Sequence, residues 1–328
     1  KMKYFITGVT GFAGPHLARL LLQEGHTVHA LIRGSNGREM DLLDVLSVDE
    51  IDQIKFQYAD LTEYHSLARV FSEVSYDGVF HLAAQSHPPT SFVDPVGTFE
   101  ANVQGTVNLI DVIQRQQENC PLMFCSTSEV YGDSGKTVGV LQEDQPLGPS
   151  NPYGTSKAAI DLYMQERCKN GFLQGFITRA FSHTGPRRGY NFSISWDAYS
   201  LALIATGKTE DYTLPVGNLE TERVVIDVRD TVRAYYLLMQ NYENGAAYNV
   251  CGDIDSVKKM QFFTDSLIEI SGLSGVEKKV SKKLYRPIDI QIQIGDTTRL
   301  REKTGWKPEI PIEQTLSDLY SYWVRKCR

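Results

Sequence analysis

The sequence predicts an α/β fold: a doubly wound parallel sheet with helices on both faces and a smaller C-terminal α/β lobe. Three observations lead there. Apolar runs of strand length alternate with helix-length amphipathic stretches through the first 180 residues, the pattern of a parallel sheet with crossover helices. A glycine-rich turn, Gly8-Val9-Thr10-Gly11-Phe12-Ala13-Gly14, separates the first strand from the first helix. Further on, an apolar run ends in Ser126-Thr127-Ser128-Glu129 and is answered by Tyr153 and Lys157 on a helix. Polar groups at the carboxyl ends of parallel strands are where ligands bind in open sheets.

Taken in order, residues 3–7 read as a strand, 12–23 as a helix closed by Gly25, and 27–32 as a strand, one βαβ unit. The polar segment 34–49 reads as a loop leading into short helix. Strands at 54–58 and 78–84, helices at 64–74 and 98–117, a strand at 122–126 and another at 175–180 continue the alternation. The Gly-, Pro- and acid-rich stretch 133–149 reads as a surface loop before the Tyr153 helix. After Phe181 the rhythm changes. A Gly/Pro/Arg loop at 183–190 precedes a helix at 196–206, an extended segment at 222–228, a helix at 230–240 and a strand returning at 247–251. Helices at 259–270 and 312–324 close the chain. The expected division is a Rossmann-type nucleotide-binding domain over 1–180, with returning segments near 217–253, and a lobe built from 181–216 and 254–328.

At 328 residues, with 41% hydrophobic and 22% charged content, the composition is that of an ordinary soluble globular protein. A net charge of −7 gives no reason to expect nucleic acid as a partner. No window approaches a membrane-spanning run, and the first residues lead into a strand rather than a signal peptide. The five cysteines (120, 125, 168, 251 and 327) lack metal-ligand spacing and read as reduced thiols. Cys125, near the strand end, reads as a small hydrophobe rather than a nucleophile. A cytoplasmic protein without metal is expected, assembled as a homodimer or homotetramer.

The glycines allow tight turning and close approach of backbone to a pyrophosphate, which rests on the following helix N-terminus. Gly8, Thr10, Gly11, Phe12, Ala13 and Gly14 are the expected cofactor contacts there. The second strand ends in Ile32-Arg33-Gly34-Ser35 rather than in an acid, and an arginine with a hydroxyl donor suits a 2′-phosphate, so NADP is the expected cofactor. Asp60 and Leu61 are expected to flank the adenine, with Leu82, Ala83, Ala84 and His183 along the rest of the cofactor. Tyr153 and Lys157, four residues apart, share one helix face. A lysine beside a phenol favours the phenolate, lowering a pKa otherwise near ~10.

With these motifs in place the chain resembles the extended short-chain dehydrogenase/reductase superfamily over nearly its whole length, and within it GDP-mannose 4,6-dehydratase and related GDP-sugar enzymes. The resemblance is carried by TGVTGFAG, HLAAQSH (81–87), STSEVYG, YGTSK (153–157), GPRRGYNF (185–192) and GNLETER (217–223). It implies that Thr127, Tyr153 and Lys157 support hydride transfer, and that Glu129, assisted by Ser128, is the acid/base at C5 and C6 of the sugar. It implies that Arg187, Arg223 and Arg286 face the nucleotide diphosphate and Asp289 a ribose hydroxyl. Ser86, Ser182, Asn191 and Gly217 complete the expected substrate contacts. His87 and His183 read as loop hydrogen-bonders rather than catalysts.

Four departures bear on the reaction. Phe12-Ala13 in the glycine turn is commoner in the superfamily's reductases and epimerases. Ser182-His183-Thr184-Gly185 and Ser195-Trp196 differ from the dehydratase pattern. The stretches 224–230 and 305–308 look more like GDP-4-keto-6-deoxymannose reductases. The leading expectation is a GDP-sugar 4,6-dehydratase of the GDP-mannose or GDP-manno-heptose type. Second comes a GDP-4-keto-6-deoxy-sugar reductase or nucleotide-sugar epimerase on the same fold, and a non-enzymatic NADP-binding regulator is a distant third.

Overall fold

The computed structural model describes residues 1–34, 37–117, 119–285 and 288–328. The chain opens with β1 (Lys3–Thr7), α1 (Gly14–Gln23) and β2 (Thr27–Ile32), then a 3₁₀ turn, α2 (Val48–Asp52), β3 (Lys55–Tyr58), α3 (Tyr64–Glu73) and β4 (Gly78–His81). Next come α4 (Pro88–Val93), α5 (Pro95–Phe99), α6 (Gly105–Gln116), β5 (Leu122–Thr127), α7 (Gly135–Val138), α8 (Pro152–Lys169) and β6 (Gly175–Ala180). The C-terminal half runs through β7 (His183–Thr184), α9 (Ser193–Ala205), β8 (Thr213–Val216), β9 (Glu222–Arg223), β10 (Ile226–Asp227), α10 (Val228–Gln240) and β11 (Ala247–Val250). It ends with β12 (Lys258–Lys259), α11 (Met260–Ser271), β13 (Glu277–Val280), β14 (Ile292–Gln293), α12 (Thr298–Thr304) and α13 (Ile312–Cys327).

The apolar runs are strands because they are covered on both faces: all six residues of β6 and all four of β4 are buried. Seven parallel strands form the main sheet in the order β11-β6-β5-β4-β1-β2-β3, so the chain reverses direction between β1 and β4. A crevice opens at such a reversal. One face carries α1 and α10, through Leu17, Leu21, Val232 and Leu238; the other carries α3, α6 and α8, through Leu67, Leu109, Ile113, Ile160 and Met164. A separate core joins α9, α11 and α13 around Leu201, Phe263, Leu319 and Trp323.

Three features differ from the sequence reading. The single helix expected over 98–117 is interrupted by a π-helical turn at Glu100–Gln104. That wide turn presents buried Asn102, whose amide donates to the Gln85 carbonyl at 3.0 Å and to Ser156 Oγ at 2.9 Å. A parallel pairing of β8 with β13 was not expected, because every residue of Glu277–Val280 is exposed and gives no apolar signal. The short helix α12 buries only Leu300.

The helix bearing Tyr153 is fixed to the sheet by charge. Arg179 of β6 pairs with Asp161 of α8 through two 2.9 Å bonds, with side chains 2% and 0% exposed. Asp161 also accepts from Ser126 Oγ at 2.9 Å, and Arg179 donates to Tyr131 and to the Glu143 carbonyl. Asp161→Ala leaves the guanidinium buried without its carboxylate and is expected to cost about 3–5 kcal/mol of stability. Urea unfolding measures it, and an Asp161→Leu/Arg179→Met double variant should recover most of the loss.

Candidate active site

A cleft of about 1140 Å³ runs across the carboxyl ends of β1, β4, β5 and β6 and on to the C-terminal lobe. At one end lie Gly8, Thr10, Gly11, Phe12, Ala13 and Gly14. Gly8 has φ +79°, and a Cβ there would stand 2.6 Å from the Ala83 nitrogen, so this tight crossing of β1 and β4 requires glycine. The N-cap of α1 is Ala13, with no capping side chain and no acid in the first turn. The helix therefore meets the cleft with free N–H groups, which suits the pyrophosphate of a dinucleotide. Arg33 lines the cleft where β2 ends, exposed, with Asp60 and Leu61 at the end of β3 and Leu82, Ala83 and Ala84 at the end of β4. Asp60 is oriented by bonds from the Thr62 N–H and hydroxyl at 2.9 and 2.8 Å. Ser35, expected beside Arg33, lies outside the described residues.

Beneath this end, His81 is buried between Thr7 (2.6 Å) and Thr106 (2.8 Å), and burial drives its pKa down to about 3. It is a neutral strut, and Thr7 Oγ1 in turn accepts from the Ala83 N–H at 3.2 Å.

Thr127, Ser128, Glu129, Tyr153 and Lys157 all meet in the middle of the cleft. The first three close β5 and enter a 3₁₀ turn, where Thr127 Oγ1 accepts from the Glu129 N–H at 3.2 Å. The Thr127 hydroxyl is also a hydrogen-bond partner of the Tyr153 phenol. Tyr153 and Lys157 come from the first turns of α8, and the Lys157 ammonium donates to the Cys125 carbonyl at 2.7 Å, 4.9 Å from the Phe124 ring centroid. One expectation is corrected here. Rather than Lys157 drawing Tyr153 toward phenolate, burial pushes the phenol well above its ordinary value, and burial also lowers the lysine.

Toward the lobe the cleft is lined by Ser86, Ser182, His183, Asn191, Gly217, Arg223 and Asp289. His183 stacks on Phe12 (5.7 Å, 14°) and donates Nδ1–H to the Phe181 carbonyl; burial takes its pKa down to about 4. His87 likewise bonds to Thr90 and the Asn191 carbonyl. Arg223 is held by the Glu222 and Ile290 carbonyls at 2.8 and 2.6 Å, with Asp289 4.0 Å away and oriented by Asn218. Arg286 lies outside the described residues.

Arg187 departs from its expected place. It is absent from this stretch of the cleft because its guanidinium turns back to the Thr10 and Gly11 carbonyls (2.7 and 2.8 Å), to Asp44 (2.8 Å) and to the Asp41 carbonyl. Its φ of 77° is tolerated because four partners hold it. Arg188 is the arginine that enters the cleft, over the faces of Phe12 (4.7 Å) and Phe192 (3.4 Å).

Sequence reasoning missed the residues that orient these groups. Asn151, the N-cap of α8, accepts from the Gly154 N–H at 2.7 Å and donates to Glu129 Oε2 at 2.8 Å, so one side chain caps the Tyr153 helix and aims the carboxylate. The Asn-Pro start of that helix was a readable signal for the cap. Ser91 accepts from the Tyr153 N–H at 3.0 Å, and Gln293 accepts from Ser128 Oγ at 3.2 Å; nothing local marks either. Among the described residues no group of His, Cys, Asp and Glu is arranged to hold a metal, and no helix is long and apolar enough to cross a membrane.

The profile of the family described as GDP-mannose 4,6 dehydratase matches residues 5–319. The GDP-6-deoxy-D-mannose reductase of Pseudomonas aeruginosa is 30% identical over 327 residues, which cover 99% of this chain and 98% of that protein. The GDP-mannose 4,6 dehydratase of Homo sapiens is 30% identical over 341 residues, covering 96% of this chain and 89% of that protein. Among solved structures, RMD from Pseudomonas aeruginosa complexed with NADPH matches with a TM-score of 0.82 at 28% identity, covering 99% of this chain and 100% of that one.

Arg33→Ala is expected to weaken NADP binding by about 10–100-fold, the worth of a charge-assisted hydrogen bond, with NAD affinity nearly unchanged. Calorimetric titration with both cofactors measures it, and equal losses would remove Arg33 from 2′-phosphate reading. Arg187→Ala should loosen the cofactor, while Arg223→Ala should raise KM for a nucleotide sugar and leave cofactor affinity alone.

Proposed function

The chain belongs to the GDP-mannose 4,6-dehydratase family of the extended short-chain dehydrogenase/reductases, nucleotide-sugar-modifying enzymes that use NAD(P), and within it we propose a reductase of GDP-4-keto-6-deoxy sugars. The observation that carries this reading is end-to-end fit. The alignment with the Pseudomonas aeruginosa reductase needs 327 positions and spans 98% of it. Alignments with dehydratases run over 339 to 357 positions for a chain of 328 residues, so those relatives hold segments this chain does not match. The reductase thus moves ahead of the dehydratase expected from the motifs. Dehydration is the second reading, favoured by Glu129 lining the cleft beside Tyr153.

Reduction also fits the chemistry available at Tyr153. A ketone that gains a hydride at carbon needs a proton at oxygen, and the Tyr153 phenol is the donor for it. NADPH, when bound along the glycine turn, supplies the hydride. Tyr153 gives its phenolic proton to the C4 oxygen, and the Thr127 hydroxyl steadies the charge on that oxygen by a second hydrogen bond. The Lys157 ammonium, one helical turn from Tyr153, stabilises the phenolate left behind. Glu129, aimed by Asn151, binds a sugar hydroxyl in this reading and moves no proton at C4. Arg223 and Asp289 hold the diphosphate and ribose of the substrate, and Arg33 favours NADP over NAD.

Reduction consumes one reduced cofactor per product, whereas dehydration consumes none, and the test uses that difference. With GDP-4-keto-6-deoxymannose and NADPH, loss of reduced-nicotinamide absorbance should match product formed. With GDP-mannose and no reductant, mass spectrometry should find no 4-keto-6-deoxy product; its appearance would sink the reductase reading. Tyr153→Phe should lower reduction by roughly 10²–10⁴-fold. Glu129→Gln should lower it by less than about tenfold, the size of one altered hydrogen bond.

A further inference from the structure

We propose that Gln293 is a sugar-binding residue that sets which hexose the cleft accepts, its carboxamide hydrogen-bonding a hydroxyl of the sugar ring. The inference rests on the cleft taking a nucleotide sugar, and holds whether reduction or dehydration follows.

Gln293 sits on β14, in register with Arg223 of β9, and is only 3% exposed. Its Oε1 accepts from Ser128 Oγ at 3.2 Å. Its Nε2 is buried with no hydrogen-bond partner among the described residues, although the side chain lines the cleft. A buried amide donor left unpaired is costly, and native interiors rarely keep one without a use. A leucine would fill the same volume without that cost. The free end is therefore explained by a ligand.

Position says which part of the ligand. On one side of Gln293 is its register partner Arg223, with Asp289 beyond, the pair assigned to the diphosphate and ribose. On the other is Ser128, next to Thr127 and Glu129 at the reacting end. Between a diphosphate and a reacting carbon lies the sugar ring. The carboxamide is neutral, so it suits hydroxyl oxygens, leaving phosphate to the arginine. Turning the amide over exchanges donor for acceptor at the free end, and a sugar hydroxyl satisfies either. A polar group that must be paired rejects ligands lacking the matching hydroxyl more strongly than apolar contact does. That makes Gln293 a determinant of sugar identity rather than of nucleotide affinity.

The test titrates GDP and GDP-mannose into the NADP-loaded wild-type chain and its Gln293→Leu variant. GDP affinity should be unchanged, while GDP-mannose binding should weaken by roughly tenfold, the loss of one buried hydrogen bond. The preference between GDP-mannose and GDP-glucose should also shrink. Losses equal for GDP and GDP-mannose, or no loss for either, overturn the proposal. Gln293→Met, which keeps the length of the side chain, serves if the leucine variant fails to fold. Should the wild type bind UDP-glucose and no guanosine ligand, the GDP reading fails on its own. The comparison is then made with UDP and UDP-glucose, where a loss confined to the sugar nucleotide upholds Gln293 and equal losses overturn it.

Discussion

The buried ion pair between Asp161 and Arg179 is the constraint on which the rest of the site depends. It joins α8 to β6, and through Ser126 and Tyr131 it reaches the end of β5. Such a pair is not the cheapest way to stabilise a core, since apolar residues of similar volume often do as well. What it supplies is register. Sliding α8 against the sheet would strand two charges in a dry interior, so Tyr153 and Lys157 are held at one height above Thr127. Tyr131 extends the network to Asn249 of β11, whose amide is engaged by the Leu141 and Asp296 carbonyls. The catalytic helix is thereby tied to the strand that returns from the C-terminal half.

Burial that secures the helix also sets the chemistry. Desolvation is the largest influence on Tyr153, Lys157, His81 and His183 alike. The direction is the same in each case, away from the charged form. Arginines supply positive charge along the cleft, since they keep their protons under any burial and bind anions in pairs of bonds. Arg33, Arg188 and Arg223 mark its length, from the cofactor end to the nucleotide-sugar end.

A loop supplies polar contacts between the C-terminal half and the glycine turn. His16 bonds to the Pro186 carbonyl at 2.9 Å, and Arg187 bonds the carbonyls of Thr10 and Gly11. Tyr322 and Lys326 of α13 bond the same Asp44 that pairs with Arg187. One short stretch therefore both braces the glycine turn and lines the cleft, with Arg187 facing back and Arg188 facing in. The backbone at Arg187 is left-handed, with φ 77°.

Much of this was legible in the amino acids. Strand–helix alternation, the glycine turn and the Tyr153–Lys157 spacing are local properties, set by periodicity and backbone sterics within a few residues. They determined the Rossmann-type sheet and the NAD(P) end, and they put Tyr153 and Lys157 on one helix face. What the tertiary structure decided lies in pairings that no local rule reaches. Arg187 meets Gly11 across 176 residues and so leaves the diphosphate it was expected to bind. Gln293 meets Ser128 across 165, which turns an unremarkable strand residue into a cleft residue. Asn151 reaches Glu129, and the π-helical turn at Asn102 answers Gln85 and Ser156, because buried polar groups must find partners wherever the fold brings them. The protonation of Tyr153 belongs to the same class. Helical spacing places a lysine near a phenol, but only packing decides how deeply that phenol is buried, and burial is the largest influence on its pKa.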